Sequence, residues 1–165
     1  MDDDKRSELR SKYLGFVFQS FNLVKTLNAV ENVELPLFYL KDIDKKKENF
    51  LNRRKLIRQK AISILKSVGL GDRIYHRTNQ LSGGQQQRIA IARALINDPE
   101  LILADEPTGN LDSKTSVEIM EIFKDLYQKG KTIVLVTHEH DIAAYAKKIV
   151  EFKDGKIIDI RENID

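Results

Sequence analysis

Two neighbouring carboxylates, Asp105 and Glu106, follow the short apolar run of residues 101–104. An apolar run of this length predicts a buried strand, and parallel α/β sheets bind their ligands beyond the carboxyl ends of their strands. At such a place one acid can hold Mg²⁺ while the other activates a water molecule. Two acids that merely begin a surface loop would give the same pattern, so the pair alone leaves both interpretations open.

A second candidate site is the segment Leu81-Ser82-Gly83-Gly84-Gln85, which precedes the apolar-patterned residues 89–96. Ser82 is a favoured N-cap residue, and the two glycines leave backbone N–H groups open to the close approach of an anion. The segment therefore predicts a phosphate clamp at the start of a helix. A plain capped helix that begins with flexible glycines is the alternative.

Three short apolar runs, residues 14–18, 101–104 and 132–136, predict buried strands. Because their apolarity is continuous rather than alternating, it favours a sheet covered on both faces. Residues 113–129 repeat apolar side chains at helical spacing, and Gly130 supplies a C-terminal stop. The order strand, helix, strand is typical of a parallel α/β sheet.

The remaining segments flank this predicted core. Residues 149–160 form two alternating runs around Asp154-Gly155, which predicts a terminal hairpin. Residues 29–80 contain no comparable strand, and the apolar spacing from Leu56 to Val68 predicts an amphipathic helix. We therefore expect a helical sub-domain inserted into the α/β core.

The order and content of these motifs resemble the ATPase subunits of ABC transporters. The resemblance rests on Leu81 to Gln85, on Asp105-Glu106 with residues 107–112, on Val136-Thr137-His138 and on Gln19 after the first strand. It covers essentially the whole chain, and residues 16–23 and 31–37 look most like the lipoprotein-releasing and macrolide-exporter type. It implies a P-loop NTPase-like α/β core. Within it, residues 1–28 would hold a core strand and the Q-loop, 29–98 the helical sub-domain with the signature motif, and 99–165 the rest of the core.

The resemblance also implies roles for single residues, with ATP and Mg²⁺ as cofactors. Glu106 would be the general base, Asp105 would bind Mg²⁺ through its waters, and His138 would sense the γ-phosphate. Gln19 would help to coordinate Mg²⁺ and would link the site to a membrane subunit. Without the other motifs, His138 would be interpreted as an ordinary surface histidine.

Further implied roles concern a second ATPase subunit, in a homodimer or a heterodimer. Ser82, Gly83, Gly84 and Gln85 would grip the γ-phosphate of ATP held by the opposite subunit, and Asp112 would cross the dimer interface. Transmembrane subunits would be the other partners. The helical sub-domain and the loop after Gln19 would dock onto them, on the cytoplasmic face of the membrane.

The family's phosphate-binding loop, Gly-x-x-x-x-Gly-Lys-Ser/Thr, does not occur in these 165 residues. The eight glycines stand at positions 15, 69, 71, 83, 84, 109, 130 and 155, none with that spacing. The resemblance therefore predicts a late start at Met1, from an incomplete gene prediction, an internal start or a shortened chain. We expect the chain alone to be inactive, poorly soluble and prone to self-association or strand exchange, because core strand edges would be unpaired.

Composition sets wider limits on function. The formal charge of +3 is a small difference between 28 basic and 25 acidic residues, too small to argue for nucleic acid. There are no cysteines for disulfides or thiolate metal sites. The acidic and then basic residues 2–6 predict no signal peptide, and no apolar run approaches the length needed to span a membrane. Basic residues cluster between Lys45 and Lys60, most simply as a solvated helix face. The alternatives are a surface for anionic lipid or an acidic partner loop and, third, one for nucleic acid.

Three other functions stay open from the sequence. A non-catalytic docking or regulatory subunit would supply only the Ser82 to Gln85 clamp to a competent partner. A DNA-repair or chromosome-organising ATPase uses a related clamp, but the chain lacks long heptads. An ABC-type translation factor would normally carry two such modules in one chain.

Overall fold

The structure is a computed structural model that describes residues 3–38 and 50–163. Its helices are α1 (Asp3–Tyr13), α2 (Ala29–Phe38), α3 (Phe50–Ser67), α4 (Gly83–Leu95), α5 (Ser113–Gln128) and α6 (His140–Ala143). Its strands are β1 (Leu14–Phe18), β2 (Leu101–Asp105), β3 (Thr132–Val136), β4 (Lys148–Lys153) and β5 (Lys156–Glu162). These elements confirm the predicted strands and helices. The mostly charged helix α1 has no apolar stripe, so the sequence pattern does not predict it.

A parallel sheet of order β1-β2-β3 positions the candidate site. Phe18 pairs with Asp105, and Asp105 pairs with Val136, so all three strands end at the same edge. The residues that follow these strands are Gln19, Glu106 and the segment leading to His138. Helix α5 makes the crossover from β2 to β3, which confirms the predicted α/β class with a parallel sheet.

One face of this sheet is covered and the other is open among the described residues. Val17, Ile102 and Ala104 are buried on the side where α4 packs against β1. The opposite face exposes large apolar side chains: Phe16, Phe18, Val134 and Val136. The prediction of cover on both faces is therefore wrong for residues 3–38 and 50–163. The continuous apolar runs of these strands indicate that both faces of the sheet favour burial. None of the described helices or strands covers the face that exposes Phe16 and Val136.

Helices α2, α3 and α4 pack on one another over a core that includes Val30, Val33, Leu65 and Ile89. The buried Asn32 holds the preceding loop, since its side chain accepts from Val24 N–H at 2.8 Å and donates to three backbone carbonyls. The proposed division at residues 29 and 98 stays a prediction. Part of that segment, with Lys45, Lys46 and Lys47 of the basic cluster, lies outside the described residues.

An ion pair with a buried carboxylate joins α2 to α3 and predicts a measurable stability effect. Glu34, with 7% of its side chain exposed, accepts from Arg58 Nε at 2.8 Å and from Nη2 at 3.2 Å. Glu34→Gln should lower the free energy of unfolding by about 1–3 kcal/mol in urea titrations. The Arg58 guanidinium would then donate to one neutral amide oxygen instead of two oxygens of a carboxylate. Asp159→Asn is the control, since its pair with Arg161 is half-exposed and 3.7 Å long. Equal losses in both variants would contradict the prediction.

The chain ends in the predicted hairpin. Strands β4 and β5 pair antiparallel around Asp154 and Gly155, which have φ values of 50° and 75°. Positive φ at both turn residues is the geometry that favours Asp-Gly in a tight hairpin. Several of its apolar side chains, such as Phe152 and Ile160, are more than half exposed.

Candidate functional site

The two carboxylates at the end of β2 differ in their surroundings. Asp105 is exposed, whereas only 19% of the Glu106 side chain is exposed. The backbone of Glu106 has a φ of 46°, and its N–H donates to Val136 O at 2.9 Å. A left-handed glutamate is uncommon and persists where surrounding contacts hold it, as the bond to β3 does here. The turn re-aims the glutamate side chain relative to the strand.

Glu106 and His138 form a hydrogen-bonded pair. The Nδ1 atom of His138 lies 2.7 Å from Glu106 Oε1, and the backbone N–H of His138 donates to the same oxygen at 3.2 Å. The other oxygen, Oε2, is buried and has no hydrogen-bond partner among the described residues. The pair therefore has one oxygen that is held in place and one that is buried without a hydrogen-bond partner in the described ranges.

The same contact changes the titration of His138. The hydrogen bond that His138 donates to the Glu106 carboxylate, together with the negative charge of that carboxylate, raises the pKa of His138 above its ordinary value. The pair therefore stabilises the folded chain fully below about pH 6.5, and that contribution is lost as pH rises through the raised pKa.

An NMR titration of His138 should thus show a midpoint above about 6.5 in the native protein. In Glu106→Gln the midpoint should fall, because a neutral amide no longer favours the imidazolium. The ring protons of the other two histidines can be followed in the same spectra as internal references. Equal His138 midpoints in the two proteins would mean that the pair does not form in solution.

The fit of Mg²⁺ to this edge can be judged from its donor atoms. No group of three or more His, Cys, Asp or Glu side chains that could hold a metal lies within the described ranges. Magnesium commonly takes only one or two carboxylates and completes its shell with phosphate oxygens and waters. The Asp105 carboxylate, exposed at the strand end, and the amide oxygen of Gln19 are both oxygen donors that could complete such a shell. The residues fit Mg²⁺ that arrives with a phosphate ligand.

Gln19 lies against the loop that follows the carboxylates. A Cβ atom added to Gly109 would come within 2.6 Å of Gln19 Nε2, so the missing side chain makes room for the glutamine. Asn110 Nδ2 donates to Gln19 O at 3.0 Å. Gly109 N–H in turn donates to Glu106 O at 3.1 Å. The structure thus brings Gln19, Asp105, Glu106 and His138 to one edge.

The clamp segment lies elsewhere, at the start of α4. Ser82 Oγ accepts from Gln85 N–H at 3.3 Å, and Gln85 Oε1 accepts from Ser82 N–H at 3.0 Å, which completes a capping box. The side chain of Thr115 packs directly against Gly84, where a Cβ would collide with it. None of the hydrogen bonds described for Ser82–Gln85 reaches Gln19, Glu106 or His138. The clamp is therefore not hydrogen-bonded to the other predicted residues, although Gly83 lies beside the loop of Asn110 and Leu111.

Asp112 has an observed local role. It caps α5, because Oδ1 accepts from Thr115 N–H at 3.0 Å and Oδ2 from Thr115 Oγ1 at 2.6 Å. These hydrogen bonds lower the pKa of the Asp112 carboxyl. Its proposed place in a dimer interface stays a prediction.

Two buried side chains beside the site are not predicted by any sequence motif. Gln87 is fully buried on α4, and its Nε2 donates to Pro107 O at 2.6 Å, directly after Glu106. Thr108, 2% exposed, donates to Glu139 Oε1 at 3.2 Å. The sequence offers one signal for Gln87, which is that it lies on the same helix as the apolar residues Ile89 and Ile91. A glutamine buried with them needs a hydrogen-bond partner.

Comparisons with protein families and sequences were consistent with one another. A family described as ABC transporter matches residues 1–109. An uncharacterized ABC transporter ATP-binding protein of Methanocaldococcus jannaschii is 51% identical over 97% of this chain and 67% of its own length. A macrolide export ATP-binding/permease protein MacB of Chlorobium phaeobacteroides is 53% identical over 96% of this chain. The chain spans only 22% of that MacB protein.

Solved structures give the same match. An ATP-binding cassette solved as a dimer in a post-hydrolysis state with ADP and Pi superposes with a TM-score of 0.81. It is 44% identical and is matched over 98% of this chain and 68% of its own. A cbiO1 protein from Clostridium perfringens, described as part of an ABC transporter complex, has a TM-score of 0.81 at 27% identity.

Proposed function

This chain belongs to the ABC transporter family of ATP-binding proteins, and on that premise we propose that it couples ATP hydrolysis to transport by membrane-embedded partners. The observation that carries the hydrolytic role is the Glu106–His138 pair, with Oε1 held at 2.7 Å and the buried Oε2 without a hydrogen-bond partner in the described part of the chain. A carboxylate with one oxygen held and the other unpaired is suited to accept a proton from a water molecule that enters the site.

In this mechanism Glu106 Oε2 accepts the proton of the attacking water. His138 holds Oε1, and its Nε2 atom, on a side chain that is 79% exposed, is available to the γ-phosphate. Asp105 and Gln19 would hold Mg²⁺, which when bound neutralises charge on the phosphate oxygens during transfer. The left-handed turn at Glu106 keeps the base oriented without rearrangement.

The hydrogen bonding of the clamp supports a composite site in a dimer. Among the described residues, Ser82 and Gln85 bond to each other and not to Glu106 or His138. A second subunit would place its own clamp opposite Glu106. The post-hydrolysis relative was itself solved as a dimer. We propose that ATP lies between Glu106 and His138 of one subunit and the clamp of another.

A phosphate-binding loop must also take part, and Gly-x-x-x-x-Gly-Lys-Ser/Thr is not among residues 1–165. Either the same polypeptide or a partner subunit would supply it. Sequencing the coding DNA upstream of Met1 separates these sources. An in-frame strand followed by that motif would place the loop on the same polypeptide, whereas a nearby stop codon would assign it to a partner.

The membrane partners are proposed from the relatives and from exposed surface. The MacB relative is named as an ATP-binding/permease protein. No helix within residues 3–38 and 50–163 has the length and apolarity to cross a bilayer. We propose docking on the cytoplasmic side through α2, α3 and the loop after Gln19, where Phe38 of α2 and Leu56 of α3 are exposed.

The test uses the native assembly, isolated from its own membranes through a tag on this protein. It should contain integral membrane proteins and hydrolyse ATP in a Mg²⁺-dependent manner. Photolabelling with an azido-ATP should mark this protein or its ATPase partner. An assembly that contains neither membrane proteins nor ATP-hydrolysing activity would refute the proposed function.

A further inference from the structure

The loop after Gln19 has an unusual backbone. Phe21 and Asn22 are successive residues with φ values of 58° and 50°. Left-handed backbone is tolerated by asparagine but is rare for a bulky phenylalanine, and such residues persist where other contacts hold them. The local bonds are few: Phe21 N–H donates to Phe18 O, Asn22 N–H donates to Ser20 O, and Ser20 Oγ donates to Asn22 Oδ1. A contact from outside the loop is therefore needed.

Arg93 supplies that contact from helix α4. Its Nη1 donates to Asn22 O at 2.6 Å and its Nη2 donates to Phe21 O at 2.9 Å. The guanidinium is half-buried, and burial lowers the pKa of Arg93. Within the described residues no carboxylate forms an ion pair with it. A half-buried cation without a counter-ion is costly, so the two carbonyls are its main compensation.

The arginine fork matches this target. Guanidinium presents two parallel N–H donors, which here reach the carbonyls of two adjacent residues. The ammonium of a lysine is a point donor on a flexible stem and cannot span both carbonyls in the same way. The left-handed turn directs the carbonyls of Phe21 and Asn22 toward α4, where both accept from Arg93. The strained backbone and the arginine therefore depend on each other.

The loop held by Arg93 leads directly to the hydrolytic residues. Gln19, two positions before Phe21, rests its side chain on Gly109 and accepts from Asn110. Gly109 is hydrogen-bonded to the backbone of Glu106. On the same helix as Arg93, Gln87 holds Pro107, the residue after Glu106. Helix α4 thus fastens both the loop that carries Gln19 and the loop on which Gln19 rests.

We propose that Arg93 is a positioning residue that locks the loop of residues 20–22 onto α4 and thereby sets Gln19 against Gly109, beside Glu106. The inference rests on the proposed function, because the catalytic use of Gln19 is part of that proposal. Arg93 itself touches neither Glu106 nor His138 through any described hydrogen bond. It acts through Gln19, and its effect should depend on that residue.

The first test is structural and needs no nucleotide. Hydrogen exchange of the native protein should show at least about tenfold faster exchange at residues 21–23 in Arg93→Met, since a charge-assisted pair of bonds is lost. Arg93→Lys should be closer to Arg93→Met than to the unaltered protein. The matched control is Arg88→Met, because Arg88 lies on the same helix and donates to Val68 O at 2.8 Å. Unchanged exchange at residues 21–23, or an equal change in Arg88→Met, would overturn the proposal.

The second test is kinetic and asks whether Arg93 acts through Gln19. In the native assembly, Arg93→Lys should lower kcat by about 10- to 100-fold with a smaller change in KM. The double variant Arg93→Lys with Gln19→Ala should be no slower than Gln19→Ala alone. Multiplicative losses would show that Arg93 acts independently, which overturns the proposal. If the unaltered assembly hydrolyses no ATP, the proposed function fails, and the exchange result alone decides the role of Arg93.

Discussion

Replacing Glu106 with glutamine should lower the kcat of ATP hydrolysis by about 10²- to 10⁴-fold, the range expected for loss of a general base. The amide oxygen can take the place of Oε1 and keep the bond from the His138 backbone N–H. The amide nitrogen then stands where the unpartnered Oε2 lies, and it cannot accept a proton. The substitution therefore preserves the shape of the side chain but removes its ability to act as a base. Steady-state hydrolysis by the native assembly is the measurement.

Two comparisons sharpen this result. ATP affinity should change little, since Glu106 is proposed to act on water rather than to hold the nucleotide. Glu121→Gln, an exposed glutamate on α5, is the matched control and should leave kcat unchanged. Retention of kcat within about twofold in Glu106→Gln would assign the base to another residue, because so small a change lies far below a base's contribution.

Ser82→Arg should have the second large effect on ATP hydrolysis. The loss should occur at the ATP that is held by the opposite subunit. The substitution removes the cap of α4 and places a long cationic side chain where backbone N–H groups are proposed to meet a phosphate. In a hybrid with a partner ATPase that carries a phosphate-binding loop, turnover of the facing ATP should fall by about 10²-fold or more, as when a charge-stabilising donor is lost.

Ser82→Ala separates the cap from the clamp. It removes the bond from Gln85 N–H at a cost of about 1 kcal/mol in stability, but it leaves the helix start open to an anion. Turnover of the hybrid should therefore fall much less than with Ser82→Arg. A hybrid that hydrolyses ATP equally well with Ser82→Arg would remove the clamp from the mechanism.

The strands, the cap of α4 and helix α5 follow from the sequence because their causes are local. Apolar runs such as residues 132–136 favour extended, buried backbone in many contexts. Ser82 marks a helix start through a bond only three residues away. Asp154-Gly155 sets the hairpin through its own backbone preferences. The adjacent acids at the end of β2 then fall at the carboxyl edge, where parallel strands deliver their following residues.

The sequence could not show which surfaces these elements leave open or which distant groups meet. Apolarity along β1 and β3 records a preference to avoid water, but only the packing reveals that Phe16 and Val136 lie on an uncovered face. The motif resemblance predicted that Gln19 belongs to the site. It did not predict that the Gln19 side chain packs against Gly109, which is 90 positions away along the chain.

By itself, then, the sequence determined the elements, the two candidate sites and the family resemblance, because each depends on residue type at short spacing. Tertiary structure alone decided the pairing of Glu106 with His138 and the hydrogen bonds from Arg93 to Phe21 and Asn22. Those contacts join residues 32 to 72 positions apart. A bond of that kind depends on how helices and strands pack, and no local pattern encodes the partner.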